Sequence, residues 1–259
     1  MSLLKITEQR GTASVRLNRP DVRNAFNPDM IAEITQVFTD FGKRRDLRVV
    51  TLSGEGKAFC AGADLSWMKT MVNYSYEQNR EDSLKLHAMF DAIAKCTVPV
   101  LGLAHGAVFG GALGLLACCD MVVAEEETLF SFSEVKIGIA PAVISSFIFS
   151  KAVPGVVRPL MISGEVFGTE KALLSALVHE VVPKGEGMSR LDRLVASWME
   201  AGPEAARETK RLLNDLPHLT ADQQIERTTK LIAERRVSTE GQEGLKSFLE
   251  KRKPSWRDQ

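Results

Sequence analysis

Three short segments of this 259-residue chain hold residue types that can do chemistry at close range. Residues 59–64 read Phe-Cys-Ala-Gly-Ala-Asp, and residues 105–114 read His-Gly-Ala-Val-Phe-Gly-Gly-Ala-Leu-Gly. Small residues at this density let a ligand approach the backbone itself. Where such a segment opens a helix, the first N–H groups have no internal partner and carry the positive end of the helix dipole. Two of them converging on one oxygen would hold a developing oxyanion. The third segment is Ser133-Glu134, in the company of Phe130, Phe132, Val135 and Ile137. A carboxyl among apolar side chains has a raised pKa and suits proton transfer. Each segment also has a purely structural reading. A Gly-Gly pair at a helix start serves close packing, and a glutamate there serves as a cap or ion-pair partner.

Both glycine-rich segments need strands to place them, and the apolar runs 49–52 and 98–103 supply these. Open α/β sheets bind ligands at such carboxyl ends of strands. Further strands are expected at 3–7 and 13–17, around a turn at Gly11, and at 121–124 and 129–132. Asn27-Pro28 supplies an N-cap and a first-position proline, and Met30, Ile31, Ile34, Val37, Phe38 and Phe41 follow at helical spacing. Helices are also expected over 74–95, 110–118 and 169–177. Strands alternating with helices imply crossovers and a mostly parallel sheet. After about Pro203 the strand signals stop, and 204–214, 221–236 and 240–253 read as helices. The fold class is therefore α/β, with residues 1–200 as core and 201–259 as a helical appendage.

Composition excludes several functions. The 33 Lys and Arg balance 33 Asp and Glu, which argues against a chain-wide field for nucleic acid or an anionic membrane. The basic runs 43–45 and 251–253 are short enough to be solvated faces. Cys60, Cys96, Cys118 and Cys119 form no C-x-x-C or zinc spacing, and reduced core cysteines are expected. The start lacks a signal-peptide pattern and no run of 18 apolar residues exists, so the expected setting is the cytoplasm, without membrane contact. Gly110, Gly111 and Gly114 do not make a dinucleotide fingerprint.

Taken together, the motifs resemble the enoyl-CoA hydratase/isomerase, or crotonase, superfamily from end to end. The resemblance rests on Asn18-Arg19-Pro20 with Arg23-Asn24-Ala25, on Lys57 through Asp64, and on His105-Gly106 through Gly110-Gly111 with Cys119-Asp120. It extends to Glu240, Glu243-Gly244 and Phe248 through Pro254. The family implies a crotonase-like spiral of ββα units with a C-terminal helical trimerisation region, and a homotrimer or dimer of trimers. It implies an acyl-CoA substrate, with coenzyme A part of that substrate and no metal or redox cofactor. By position, the oxyanion N–H groups belong to Ala63 and Gly111. Ala61 resembles the adenine contact, Arg23 and Lys57 resemble contacts to phosphates or ribose, and Asp64, Leu65, Phe248 and Lys251 resemble further CoA-binding positions.

The chain departs from the family at one point. Hydratases of the family carry two glutamates around the attacking water; Glu134 matches one, and the other position is Gly114. The runs 109–114 and 133–145 resemble bacterial 3-methylglutaconyl-CoA hydratases of leucine and isovalerate metabolism, a branch that includes isohexenylglutaconyl-CoA hydratases. The resemblance thus implies a lyase with Glu134 as acid and base, with an enoyl-CoA isomerase as the alternative. Gly114 is expected to leave room for a water held by the substrate's distal carboxylate. Lys69, Tyr74, Tyr76 and Arg80 are the downstream polar candidates for that carboxylate, and the sequence does not choose among them. Trp67, Met68 and Met71 fit either an acyl pocket or the core.

Overall fold

Arg10 and Gly11 both take positive φ, 43° and 77°, and fold β1 (Leu4–Gln9) back onto β2 (Thr12–Leu17). Two left-handed residues match the twist of a tight hairpin, as the glycine predicted. The computed structural model describes residues 2–257. From β2 the sheet continues in parallel through β3 (Val49–Gly54), β4 (Val100–Ala104), β6 (Met121–Glu125) and β8 (Glu180–Val182). β4 is buried along its whole length, as befits a strand covered on both faces. A second, two-stranded parallel sheet joins β5 (Ala107–Phe109) to β7 (Leu129–Ser131).

The helices follow their sequence signals where these are strong. α1 (Pro28–Lys43) starts on Asn27, whose side chain accepts from the Met30 N–H at 3.0 Å. Its buried face is Met30, Ile31, Ile34, Phe38 and Phe41. α2 (Leu65–Met71) precedes α3 (Tyr76–Ala94), which opens on a Ser75–Gln78 capping box. α4 (Ala112–Ala117) is short and entirely buried.

Six labelled elements lie where no element was expected: α2, β5, α5 (Ala142–Lys151), α6 (Pro154–Ser163), β8 and α8 (Gly187–Trp198). α5 is apolar nearly all round, so it shows no helical stripe. α6 carries Pro154 and Pro159, which read as breakers, but Pro154 occupies the first turn where its missing N–H costs nothing. α7 (Thr169–Leu174) lies between them and β8.

α9 (Pro203–Asp215) is bound into the core more firmly than an appendage would be. The Arg207 guanidinium is buried and donates to the carbonyls of Arg44 and Leu47. Lys210 reaches Asp120 at 2.7 Å. After α9 come α10 (Ala221–Val237) and α11 (Thr239–Leu249), which leave more of their surface open than α9 does. α11 stops short of the expected 253, because Lys251 turns left-handed at φ 53°.

Candidate active site

The two glycine-rich loops lie side by side. The Cys60 N–H donates to Ala107 and the Phe109 N–H donates to Cys60, each at 3.2 Å. Gly62 permits this contact: its φ is 95°, and a Cβ there would lie 2.9 Å from the Phe109 carbonyl oxygen.

Phe26 ties both loops to the N-terminal segment. Its N–H donates to Gly62 at 2.9 Å and its carbonyl accepts from Asp64 at 3.0 Å, so its backbone brackets Ala63. Alternation along extended chain turns the Ala63 N–H to the other side. The Phe26 ring meanwhile abuts Gly111, where a Cβ would lie 2.6 Å from Cζ. Among the described residues, neither the Ala63 nor the Gly111 N–H has an acceptor. Two free donors held by one aromatic residue can receive an oxygen that gains negative charge.

The same segment locks Asp64. Its carboxylate accepts from the Ser66 and Trp67 N–H groups at 2.7 and 3.4 Å, capping α2. Arg19 Nη2 meets it at 2.7 Å. These donors outweigh the burial of Asp64, and its carboxyl stays below the ordinary range. The Asp64 side chain therefore serves the loop. Asn24, buried at φ 55°, accepts from the Arg19 N–H and donates to the carbonyls of Glu55 and Ala58, each at 2.8 Å.

Glu134 sits in a 3₁₀ turn, Ser133–Ile137, directly after β7. Its carboxyl faces the glycine pair: a Cβ on Gly110 would lie 3.3 Å from Oε1. Gly110 is itself at φ 56° and donates to the Ser131 carbonyl at 2.8 Å. Among the described residues, Glu134 Oε2 is buried with no hydrogen-bond partner. Burial raises the Glu134 pKa above the ordinary carboxyl value. Among the described residues the group is neither a cap nor half of an ion pair, so it is free to carry a proton. Phe130 and Phe132 are buried beside it as expected, whereas Ile137 is 59% exposed and belongs to the surface.

One expectation fails at Gly114. The space beside it holds no room for water: a Cβ there would lie 2.6 Å from Ile144 Cγ2 and 2.8 Å from the Phe90 ring. Phe90 is backed by Phe147, with ring centroids 5.6 Å apart. The place of a second carboxylate is thus an apolar wall. Sequence reasoning missed Phe90 and Ile144 because they come from helices distant in the chain, and it missed Phe26.

The other expected contacts divide into two groups. The Arg23 carbonyl, at φ 53°, accepts from the Ala61 N–H at 2.9 Å, so Ala61 offers only its carbonyl outward. Arg23 and Lys57 are exposed around it, and Leu65 is exposed at the first position of α2. Phe248 and Lys251 are not gathered there. α11 packs on α9 and α10, and Phe248 is 82% exposed. Lys69, Tyr76 and Arg80 are exposed on α2 and α3, and Tyr74 is half-buried between them. Trp67 is core, with its indole N–H on Asp82 at 3.2 Å.

Residues 7–259 match the family described as Enoyl-CoA hydratase/isomerase. The chain belongs to that family. A solved enoyl-CoA hydratase from Shewanella pealeana superposes with a TM-score of 0.93 at 35% identity, covering 98% of this chain and 96% of that one. The crotonyl-CoA hydratase of Syntrophomonas wolfei is 26% identical over 97% of this chain and 96% of its own length. The mitochondrial Delta(3,5)-Delta(2,4)-dienoyl-CoA isomerase of Dictyostelium discoideum is 29% identical over 98% of this chain and 93% of its own length. The α/β crotonase fold is therefore established, and with it the family's enoyl-CoA hydratase/isomerase chemistry on acyl-CoA.

Proposed function

We propose that this enoyl-CoA hydratase/isomerase family member is a one-carboxylate hydratase/dehydratase, interconverting 3-hydroxy-3-methylglutaryl-CoA and 3-methylglutaconyl-CoA. The observation that carries the reading is the unpartnered Glu134 carboxyl beside Gly110, opposite an apolar wall at Gly114. In dehydration, the Glu134 carboxylate takes the C2 proton. The electron pair moves onto the thioester oxygen, held between the Ala63 and Gly111 N–H groups. The enolate then expels the C3 hydroxyl, which leaves as water with the proton returned by Glu134. Hydration reverses these steps. A single carboxyl balances both proton transfers, and the methyl branch at C3 eases C–O cleavage without a second acid. The likeness of residues 109–114 and 133–145 to methylglutaconyl-CoA hydratases supports this acyl group.

For the CoA portion, the outward Ala61 carbonyl suits the adenine amino group, and exposed Arg23 and Lys57 suit phosphates. The steps above call on no metal or redox group. The open apolar positions Val237, Leu245, Phe248 and Leu249 support self-association through α10 and α11 into a trimer or dimer of trimers. Such assembly would bring Phe248 and Lys251 to a neighbour's site. The four cysteines, buried and unpaired, support a reducing, cytoplasmic setting.

The test is to compare 3-methylglutaconyl-CoA with crotonyl-CoA as substrates. A clear kcat/KM preference for the branched acid supports the reading, and equal values contradict it. A second reading is an isomerase, favoured by the dry wall of Phe90 and Ile144. It predicts a shifted double bond with no change in mass.

A further inference from the structure

Lys151 ends α5, and its Nζ donates to the carbonyls of Leu116 at 3.2 Å and Cys119 at 2.5 Å. Those carbonyls close the C-terminal end of α4, whose N-cap is Gly111. α4 is only six residues long, so its two ends move together as one short rod. α5 also carries Ile144, which fills the space beside Gly114, and it follows the Glu134 turn after Gly138 and Pro141. The lysine therefore joins the arm that bears the carboxyl to the helix that bears the N–H.

Its surroundings fit this task. Cys118, Cys119 and Asp120 face it from the α4–β6 turn, His179 from the approach to β8, and Lys210 from α9. Lys210 holds Asp120, which leaves the Lys151 ammonium to the helix-end carbonyls. A cation there complements the negative end of the helix. A lysine kept only for solubility would turn its ammonium to water, and this one is turned inward although burial pushes its pKa down.

We propose that Lys151 is a positioning residue for the reaction, pinning α4 to α5 so that the Gly111 N–H and the Glu134 carboxyl keep their relative places. The inference rests on the roles proposed for those two groups.

The test uses Lys151→Met, Lys151→Gln and Lys151→Arg in the full-length protein. The readouts are kcat, KM, the thermal midpoint, and the carbonyl stretching frequency of a bound unreactive acyl-CoA thioester. Lys151→Met is expected to lower kcat about tenfold or more with KM within about twofold, and to weaken the carbonyl shift. Lys151→Arg should recover most of both. Should the methionine variant not fold, Lys151→Gln removes the charge while keeping a donor, and it should show the same kcat and frequency losses. Loss of thermal stability with kcat and the carbonyl shift intact would overturn the inference and leave Lys151 a packing residue. A wild-type enzyme that does not shift the carbonyl at all would overturn the hole at Ala63 and Gly111, and this inference with it.

Discussion

Gly110 and Glu134 approach so closely that a Cβ on Gly110 would lie 3.3 Å from the Glu134 Oε1. The contact joins the loop that bears the proposed oxyanion hole to the turn that bears the proposed proton carrier. Gly110→Ala meets two penalties, the left-handed φ of 56° and the nearby carboxyl. The backbone term alone is about 1–2 kcal/mol. The variant should fold with a lowered thermal midpoint and lose about tenfold or more in kcat, because Glu134 has to move. Unchanged kcat would separate the two loops functionally.

Glu134→Gln should abolish turnover and raise stability at neutral pH. Burial lifts the folded-state pKa of Glu134 above its unfolded value, so its ionised form is disfavoured in the native protein. Its contribution to stability is present below the unfolded pKa and is lost as pH rises through the folded pKa. Glutamine escapes that loss. Thermal scans should place the variant above wild type at pH 7, with the gap closing below the ordinary carboxyl range. In turnover, wild-type kcat should fall as pH drops through the raised pKa, since the reaction starts from the carboxylate.

Asp64→Ala removes the cap of α2 and leaves Arg19 without its partner at 2.7 Å. Loss of the cap alone costs about 1 kcal/mol, and a half-shielded guanidinium adds to that. Chemical denaturation should show the drop, and KM for the acyl-CoA should rise because Ala63 is the next residue. Asp64→Asn keeps the cap acceptor and should recover part of the stability.

Much of this was legible in the sequence where a local signal has a local cause. The Gly11 turn, the Asn27-Pro28 helix start and the apolar runs of β3 and β4 each rest on adjacent residues. The segments around Ala63, Gly111 and Glu134 stood out in the sequence for the same reason. What stayed hidden is tertiary. Nothing near Gly114 in the chain announces that Phe90 and Ile144 will close on it, so its small size read as open space. Phe26 lies within the N-terminal motif, but its double role is set by a ring that crosses to Gly111. The cap and ion pair of Asp64 stayed hidden because its partner Arg19 lies 45 positions earlier. α5 and α6 escaped because one lacks a polar face and the other contains two prolines.

The wall at Gly114 gives its own test. Gly114→Ala forces a methyl against Ile144 and Phe90, and overpacking of this kind costs about 1–3 kcal/mol. Combined with Ile144→Ala, the cost should be less than the sum of the two single changes, because the truncation removes the clashing Cγ2. Strict additivity in denaturant titrations would mean that the two residues are not in contact.

The most direct test of the one-carboxylate reaction is to incubate the wild-type enzyme and Glu134→Gln with 3-hydroxy-3-methylglutaryl-CoA in deuterated water, and to follow the thioester by mass spectrometry. The account predicts loss of one water with deuterium appearing at C2 of recovered substrate for the wild type, and neither for the variant. Dehydration at an undiminished rate by Glu134→Gln would contradict it.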